Sequence, residues 1–386
     1  MAIATSGKNL AGLGGLVDMD PVLRSIRALL GSLFVASTLL AAPPSAFGAT
    51  RTLSRIRVTN KAAFGSVSGQ SKQVRLTLDP HLQREAERLL ARADAPEAAI
   101  VASDVRTGRI LVWASRGDRD YVTEPYAPSA SLFKIVTAAT LLDGGYVNEG
   151  TEACWNGGDH DITKEDLERR GGSCTQFGEA LGKSINMVFA KLAKRHLDAS
   201  DLRKMAGSLG FAGGIPIDVP ARAGQVDIPD DPFGMARAAA GFWNGKLSPL
   251  GALFAMQTIA NGGERVRFVL RDSGGPVTRV VERRGIDASV ARTLNRMLQV
   301  TTKRGTCVKA FHHADGSRAL PGIPVAAKTG TLVGNKPARM FSWFASYAPA
   351  NKPEIAVAVM LANDLTWRMK ANVVGRELLE AYFASK

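Results

Sequence analysis

The order of apolar patterns along the chain constrains its fold more than any other feature of the sequence. Two β-patterned runs joined at "RTG" occupy residues 97–115, and three more occupy residues 323–364. Between them, residues 150–265 are dominated by helical patterns such as "SINMVFAKLAKRHL" and "SPLGALFAMQTIANGG". Strands at both ends of a helical middle favour an α+β fold, an antiparallel sheet flanked by helices with an all-helical subdomain.

Two further helices are predicted outside that helical middle. The stretch "VRLTLDPHLQREAERLLARA" indicates a short strand and then a helix. Asp79 suits the N-cap of this helix and Pro80 its first position, because the proline lacks an N–H group that would be unpaired there. A final helix is expected over about residues 369–383.

The N-terminal 49 residues have the composition of a targeting segment. Two arginines precede a fifteen-residue apolar run at 28–42, and small residues follow in "PPSAFGAT". This pattern predicts a secretory signal peptide, although an uncleaved membrane anchor is an alternative. Translation is expected to start at Met1 or Met19. Residues 1–49 are therefore predicted to be an N-terminal extension of an exported protein.

Composition predicts a folded protein with a basic surface. Hydrophobic residues make up 45% and charged residues 22% of the 386-residue chain, and the formal net charge is +14. Such a charge suits an anionic membrane surface or nucleic acid, but no nucleic-acid-binding motif is present, so no nucleic-acid partner is predicted. Residues 50–72 are basic, rich in serine and glycine and without clear period. They are expected to be a linker to a main domain at 73–386.

The three cysteines allow one disulfide. Cys154 and Cys174 flank a polar segment and are predicted to pair in an exported protein, which leaves Cys307 free. The alternative is that all three are unpaired small core residues. The histidine spacings match no zinc pattern, so neither a metal nor another cofactor is predicted.

Ser131 and Lys134 form an S-x-x-K motif within the apolar stretch "YAPSASLFKIVTAATLLDGG". Three residues are nearly one helical turn, so both side chains leave the same face of a helix. A lysine among apolar neighbours has a lowered pKa, because burial disfavours its charged form. Its neutral amine can then take the proton of the serine hydroxyl and produce a nucleophile. The alternative is a surface lysine that extends from the helix into water.

Ser184 and Asn186 form an S-x-N pattern, 53 residues after Ser131. On a loop before a helix, the serine could relay a proton and the asparagine could bind an amide of a substrate. Taken alone, the pattern is equally consistent with an ordinary helix N-cap at Ser184.

Lys328, Thr329 and Gly330 form a K-T-G motif on a predicted strand. A lysine and a hydroxyl that point from a strand into a cleft can hold a carboxylate. The glycine lets the backbone of a substrate approach the strand closely. The alternative is a strand that ends in a Thr-Gly turn.

In this order, the three motifs resemble those of penicillin-binding proteins and serine β-lactamases. "IVASDVRTGRILVWAS", "YAPSASLFKIVTA" and "LSPLGALFAMQTIANGG" are similar to the strand pair, the active-site helix and a later helix of penicillin-binding protein transpeptidase domains. The resemblance covers about residues 73–386. It implies a D,D-transpeptidase that acts on peptidoglycan stem peptides ending in D-Ala-D-Ala and is inhibited by β-lactams.

The resemblance also implies roles for the motif residues. Ser131 would be the nucleophile, Lys134 its general base, and Ser184 a proton relay to the leaving amine. Asn186 would bind the substrate amide, while Lys328 and Thr329 would recognise the terminal carboxylate.

The backbone N–H groups of Ser131 and Thr331 would form the oxyanion hole. The implied location is the periplasm or the outer face of the cytoplasmic membrane. There the protein could join a cell-wall synthesis complex.

Two other kinds of function fit the same motifs. One is hydrolysis, by a D,D-carboxypeptidase or a β-lactamase. The other is a β-lactam sensor or cell-wall binding module that is acylated without turnover. One β-lactamase class activates water with the glutamate of an E-x-x-L-N segment, and no such segment lies between Ser184 and Lys328. Another class has an S-x-V motif, whereas the third position of the motif in this chain is Asn186. A dedicated base for water is therefore not predicted, which favours the transpeptidase.

Overall fold

The protein is described here from a computed structural model, which covers residues 52–68, 70–158, 161–242, 245–335 and 338–386. The strands in these ranges are, in chain order, β1 (Leu53–Val58), β2 (Ala63–Val67), β3 (Gln73–Leu76), β4 (Glu97–Asp104), β5 (Ile110–Arg116), β6 (Ala127–Pro128), β7 (Glu152–Trp155), β8 (Ser173–Gln176), β9 (Gly224–Val226), β10 (Gly245–Leu247), β11 (Glu264–Val266), β12 (Val281–Arg284), β13 (Ala326–Asn335), β14 (Ala338–Ala348) and β15 (Ile355–Asn363).

The α-helices in the same ranges are α1 (Pro80–Ala93), α2 (Lys134–Asp143), α3 (Lys164–Glu168), α4 (Phe177–Lys183), α5 (Asn186–His196), α6 (Ala199–Ser208), α7 (Pro232–Ala239), α8 (Pro249–Ala260), α9 (Ala288–Lys303) and α10 (Ala371–Ala384). Short 3₁₀ helices cover Ala130–Phe133 and Lys309–Phe311. The predicted start of α1 is confirmed, because the Asp79 side chain accepts hydrogen bonds from the backbone N–H groups of His81 and Leu82.

The main sheet has five strands in the order β13-β14-β15-β4-β5, and each neighbouring pair is antiparallel. Alternate residues of β4 belong to different cores. Ala99 and Val101 belong to the core on the side of α8, whereas Ala98 and Ile100 belong to the core on the opposite side, with α1. Because both faces are covered, every residue of β15 is buried. The predicted α+β fold, with an antiparallel sheet flanked by helices, is confirmed.

The segment between β5 and β13 is mainly helical, as predicted, and surrounds α2. Residues Lys134 to Leu141 of α2 are all buried, so this helix has no polar face. The segment also contains the small antiparallel sheets β6-β10-β9, β7-β8 and β11-β12, which the sequence analysis did not predict. Their strands have two to four residues, too few to show an alternating pattern.

The prediction that residues 50–72 form a linker is wrong for most of that range. Strands β1, β2 and β3 form a three-stranded antiparallel sheet. The register of β1 against β2 shifts between Ser54 and Arg57, where Arg55 has a φ of +53°. This irregularity interrupts the alternation of apolar residues, which is why the segment showed no period. Leu53 and Val67, which pair across the two strands, are nevertheless buried.

The predicted signal peptide or anchor at 1–49 lies outside the described residues. Within the residues that the structure describes, no helix is both long enough and apolar enough to span a bilayer.

Candidate active site

Ser131 lies in the 3₁₀ helix that leads directly into α2, and Lys134 is the first residue of α2. The Nζ atom of Lys134 is 2.9 Å from the Oγ atom of Ser131. The backbone before the serine is strained, since Ala130 has a φ of +48°. Gly241 makes room for this turn, because a Cβ atom there would lie 2.3 Å from the carbonyl oxygen of Ala130. The two residues of the S-x-x-K motif therefore meet as predicted.

Lys134 is fully buried, with 0% of its surface exposed. Its pKa is well below its ordinary value, chiefly because burial penalises the charged form and also because Lys328 is nearby. Besides Ser131, the Nζ atom contacts two oxygen atoms that can only accept, Oδ1 of Asn186 at 2.7 Å and the carbonyl oxygen of Ala240 at 2.5 Å. The surface-lysine alternative is thus excluded.

The S-x-N residues lie at the junction of α4 and α5. Ser184 ends α4 with a φ of +61°, and Asn186 begins α5. Ile185, not Ser184, occupies the N-cap of α5, so the reading of Ser184 as an N-cap is wrong. The Nδ2 group of Asn186 donates to the carbonyl of Gly158 at 2.9 Å, which fixes the amide with its oxygen towards Lys134.

Lys328 lies on β13 and is also fully buried. Its Nζ atom donates to Oγ of Ser184 at 2.8 Å and to the carbonyl of Thr329 at 2.9 Å. Burial lowers the pKa of Lys328 to about 7. The structure thus connects the K-T-G motif to the S-x-N motif through a direct side-chain contact.

The neighbours of Lys328 on β13 face the nucleophile. A Cβ atom at Gly330 would be 3.3 Å from Cβ of Ala130 and 3.3 Å from Cβ of Trp343, so the strand lies close against the turn that carries Ser131. Thr331, the next residue, is exposed. The hydroxyl oxygen of Thr329 is 2.6 Å from that of Thr306.

Two open cavities meet at Ser131. The first, of about 340 Å³, is named the hydroxyl cavity here, because it is lined by Ser184, Thr306, Thr329, Thr331 and Ser342 together with Gly330, Trp343, Lys370, Asn186 and Asn372. The second, of about 460 Å³, is lined by Asp161, Arg237, Phe242, Leu332 and Val333 together with Ser131, Asn186, Ala240, Gly241 and Thr331.

Sequence reasoning missed several residues that line the two cavities. Thr306 and Lys370 border the hydroxyl cavity, while Arg237 forms an ion pair with Asp161 at 2.9 Å beside the second cavity. None of them belongs to a short motif with Ser131. The 2.6 Å contact between Thr306 and Thr329 joins residues 23 positions apart in the chain. A short sequence pattern cannot predict a contact between residues that far apart.

Cys154 and Cys174 are bonded to each other in the structure and face one another across β7 and β8. The predicted disulfide is therefore present, and Cys307 is a buried free cysteine. The segment between the two half-cystines includes Gly158, whose carbonyl holds the Asn186 amide. The disulfide thus closes a loop that contacts the candidate active site.

The geometry agrees with a comparison to known protein families. The sequence profile described as the penicillin binding protein transpeptidase domain matches residues 98–380. The chain belongs to this family. Its core motifs are accordingly those of a penicillin-binding protein, and the resemblance seen in the sequence is confirmed.

Curated relatives include two named peptidoglycan D,D-transpeptidase PbpA. The one from Mycobacterium tuberculosis (strain ATCC 25618 / H37Rv) is 27% identical over 338 residues, which cover 78% of this chain and 65% of the relative. The one from Mycolicibacterium smegmatis is 26% identical over 268 residues, which cover 62% of this chain and 50% of the relative. This penicillin-binding protein thus spans 65% or less of the length of these relatives.

Solved structures show the same fold. Penicillin-binding protein A from M. tuberculosis, in its imipenem acyl-enzyme complex, matches with a TM-score of 0.66 and 24% identity over 80% of this chain and 79% of that chain. The D,D-transpeptidase domain of a peptidoglycan glycosyltransferase from Eggerthella lenta matches with a TM-score of 0.65 and 24% identity. The match covers 81% of this chain and 83% of that chain.

Proposed function

We propose that this penicillin-binding protein is a D,D-transpeptidase that cross-links peptidoglycan stem peptides through an acyl-enzyme on Ser131. The observation that carries the proposal is the set of contacts around Lys134. A neutral amine has two N–H groups and one lone pair. The two N–H groups donate to Oδ1 of Asn186 and to the carbonyl oxygen of Ala240. The lone pair is therefore left for the hydroxyl of Ser131, 2.9 Å away.

In the acylation step, the Oγ atom of Ser131 bonds to the carbonyl carbon of the penultimate D-Ala, and Lys134 takes the hydroxyl proton. The oxyanion is stabilised by the backbone N–H groups of Ser131 and Thr331. The bond between this carbon and the nitrogen of the terminal D-Ala then breaks. Ser184, hydrogen-bonded to Lys328, passes a proton to the leaving amine and receives in its place the proton that Lys134 took from Ser131. A peptidyl ester then remains on Ser131.

In the second step, an amine of an acceptor stem peptide attacks the ester and passes its proton through Ser184 to Lys134. The oxygen of Ser131 leaves and regains a proton from Lys134, so the enzyme returns to its starting state. A β-lactam follows only the first step. Its ring opens on Ser131, but the leaving amine stays tethered, and the adduct blocks the site.

The two cavities suit two peptide strands. We assign the donor's terminal carboxylate to the hydroxyl cavity, where Thr329 lies beside Thr306. Asn186 lies between the cavities, where its side chain suits an amide of the donor. The second cavity, with Phe242 and Val333, is open for the acceptor.

Hydrolysis of the acyl-enzyme would need a base that activates water beside Ser131. Among the described residues that line the two cavities, Asp161 is the only carboxylate, and it is paired with Arg237 at 2.9 Å. The guanidinium of Arg237 thus occupies an oxygen of this carboxylate. The D,D-carboxypeptidase and the β-lactamase therefore remain secondary to the transpeptidase. The names of the relatives, peptidoglycan D,D-transpeptidase PbpA, favour turnover over a non-turnover sensor.

We place this activity outside the cytoplasm, in the periplasm or at the outer face of the cytoplasmic membrane, where peptidoglycan is the substrate. The names of the relatives, peptidoglycan D,D-transpeptidase PbpA, support that location. A predicted signal or anchor at 1–49 and a partner complex for cell-wall synthesis belong to the same proposal.

The test is incubation with a stem-peptide donor ending in D-Ala-D-Ala, with and without an amine acceptor, followed by mass spectrometry. A donor–acceptor product that forms with release of D-Ala is expected. Ser131→Ala should abolish it, while Ser273→Ala, a change at an exposed serine, should not. Release of D-Ala without any joined product would assign a carboxypeptidase, and no reaction with the folded protein would overturn the proposal.

A further inference from the structure

The hydroxyl cavity has a single source of charge among the described residues that line it. Its polar lining consists of serine, threonine and asparagine side chains, and it includes no acidic residue. Lys370 is its cationic member and is exposed to solvent. The ε-ammonium of a lysine is a point charge on a flexible stem and binds anions. The cavity is therefore built to attract an anion.

Lys328, the lysine of the K-T-G motif, is poorly placed to supply that charge. It is fully buried and does not line the cavity. Its Nζ atom already donates to Ser184 and to the carbonyl of Thr329. Because burial lowers its pKa to about 7, a substantial part of Lys328 is neutral at physiological pH.

Lys370 is held beside the cavity by two contacts. Its Nζ atom lies 4.8 Å from the ring centroid of Trp367, a cation–π distance. The residue after it, Ala371, donates its backbone N–H to Oγ of Ser342 at 3.0 Å, and Ser342 lines the same cavity. The backbone at Lys370 is thus tied to the sheet that forms the cavity wall, and Lys370 is also the N-cap residue of α10.

We propose that Lys370 is a specificity-determining residue that recognises the terminal carboxylate of the donor peptide, and the equivalent carboxylate of a β-lactam, in the hydroxyl cavity. The inference rests on the proposed function. The threonine hydroxyls supply hydrogen bonds to the carboxylate oxygens, and Lys370 supplies the permanent charge. In this division of roles, Lys328 serves the proton path through Ser184 rather than the carboxylate.

The test compares benzylpenicillin with its methyl ester, which lacks the carboxylate. The second-order rate of acylation is measured for the wild type, Lys370→Met, Lys370→Arg and the control Lys352→Met, an exposed lysine away from both cavities. We expect Lys370→Met to lower the rate with benzylpenicillin about tenfold and to leave the rate with the ester unchanged. Lys370→Arg and Lys352→Met should keep the wild-type preference.

Ionic strength gives a second readout. Added salt should slow the acylation of the wild type by benzylpenicillin more than that of Lys370→Met, because salt screens the attraction. The role of Lys370 would be overturned if Lys370→Met lowered the acylation rate equally with benzylpenicillin and with the ester, or lowered it with neither. Either result would leave the proposed function intact. Failure of the folded wild type to be acylated at all would overturn both.

Discussion

Lys134 and Ser131 are in direct contact, with 2.9 Å between Nζ and Oγ, inside a segment of helix that is otherwise sealed from solvent. This contact explains why a helix of apolar residues contains a lysine. Burial lowers the pKa of the amine well below its ordinary value, and the acceptor groups around it orient its lone pair towards the hydroxyl. The fold therefore supplies the proximity and favours the neutral form that a general base requires.

Lys134→Arg should greatly slow acylation by penicillin although arginine is also a long basic side chain. Arginine stays protonated in proteins and cannot take the serine proton. We expect the acylation rate to fall about 10²- to 10⁴-fold, the usual contribution of a general base. Lys204→Arg, at an exposed site, is the control. Wild-type acylation rates in folded Lys134→Arg would exclude Lys134 as the base.

Gly241→Ala should disturb the nucleophile without touching it chemically. Gly241 has a φ of +96°, and an added Cβ atom would lie 2.3 Å from the carbonyl oxygen of Ala130. Gly213→Ala is a matched control, since its φ is +79° but no atom lies within 4 Å of the added Cβ. Both variants carry backbone strain. We expect acylation to fall at least about tenfold in Gly241→Ala only, and equal rates in both variants would contradict this.

The motifs and the fold class were predictable because each depends on local patterns. The S-x-x-K spacing places Ser131 and Lys134 on one helical turn, and the long strands of the main sheet carry continuous apolar runs. By contrast, the small sheet that contains Leu53 was missed, because a register shift near Arg55 interrupts its alternation. Lys370 was missed because only the folded chain brings it beside the K-T-G strand.

The disulfide between Cys154 and Cys174 should stabilise the folded chain. It closes a loop with a sequence separation of 20, so the chain-entropy estimate is about 3 kcal/mol. The free energy of unfolding, measured in urea with and without reductant, should differ by about this amount. Cys307 serves as an internal control for alkylation, because burial raises the pKa of its thiol to about 12.

Only reduction should make Cys154 and Cys174 reactive towards iodoacetamide in the native protein. Alkylation of both thiols without reductant, in protein prepared under oxidising conditions, would show that the bond does not form.

The stability of the protein should depend on pH through Lys328. Its pKa is about 7 in the folded chain, against an ordinary value of 10.5. Between these values the unfolded chain holds a proton that the folded chain lacks, so the free energy of unfolding rises with pH. The slope from this one group approaches about 1.4 kcal/mol per pH unit.

Lys328→Met lacks this titration. The free energy of unfolding in urea should therefore rise more for the wild type than for the variant between pH 7 and pH 9. A stability difference that stays constant over this range would indicate that the folded pKa of Lys328 is not lowered.

Acylation by benzylpenicillin, followed by intact mass and peptide mapping, tests most directly that Ser131 is the nucleophile of this site. We predict one penicilloyl group per chain, located on Ser131 and stable for minutes, because the one carboxylate among the described residues that line the two cavities is paired with Arg237. Folded Ser131→Ala should carry none. An adduct that persists in Ser131→Ala, or a folded wild type that carries no adduct at any time, would contradict the account.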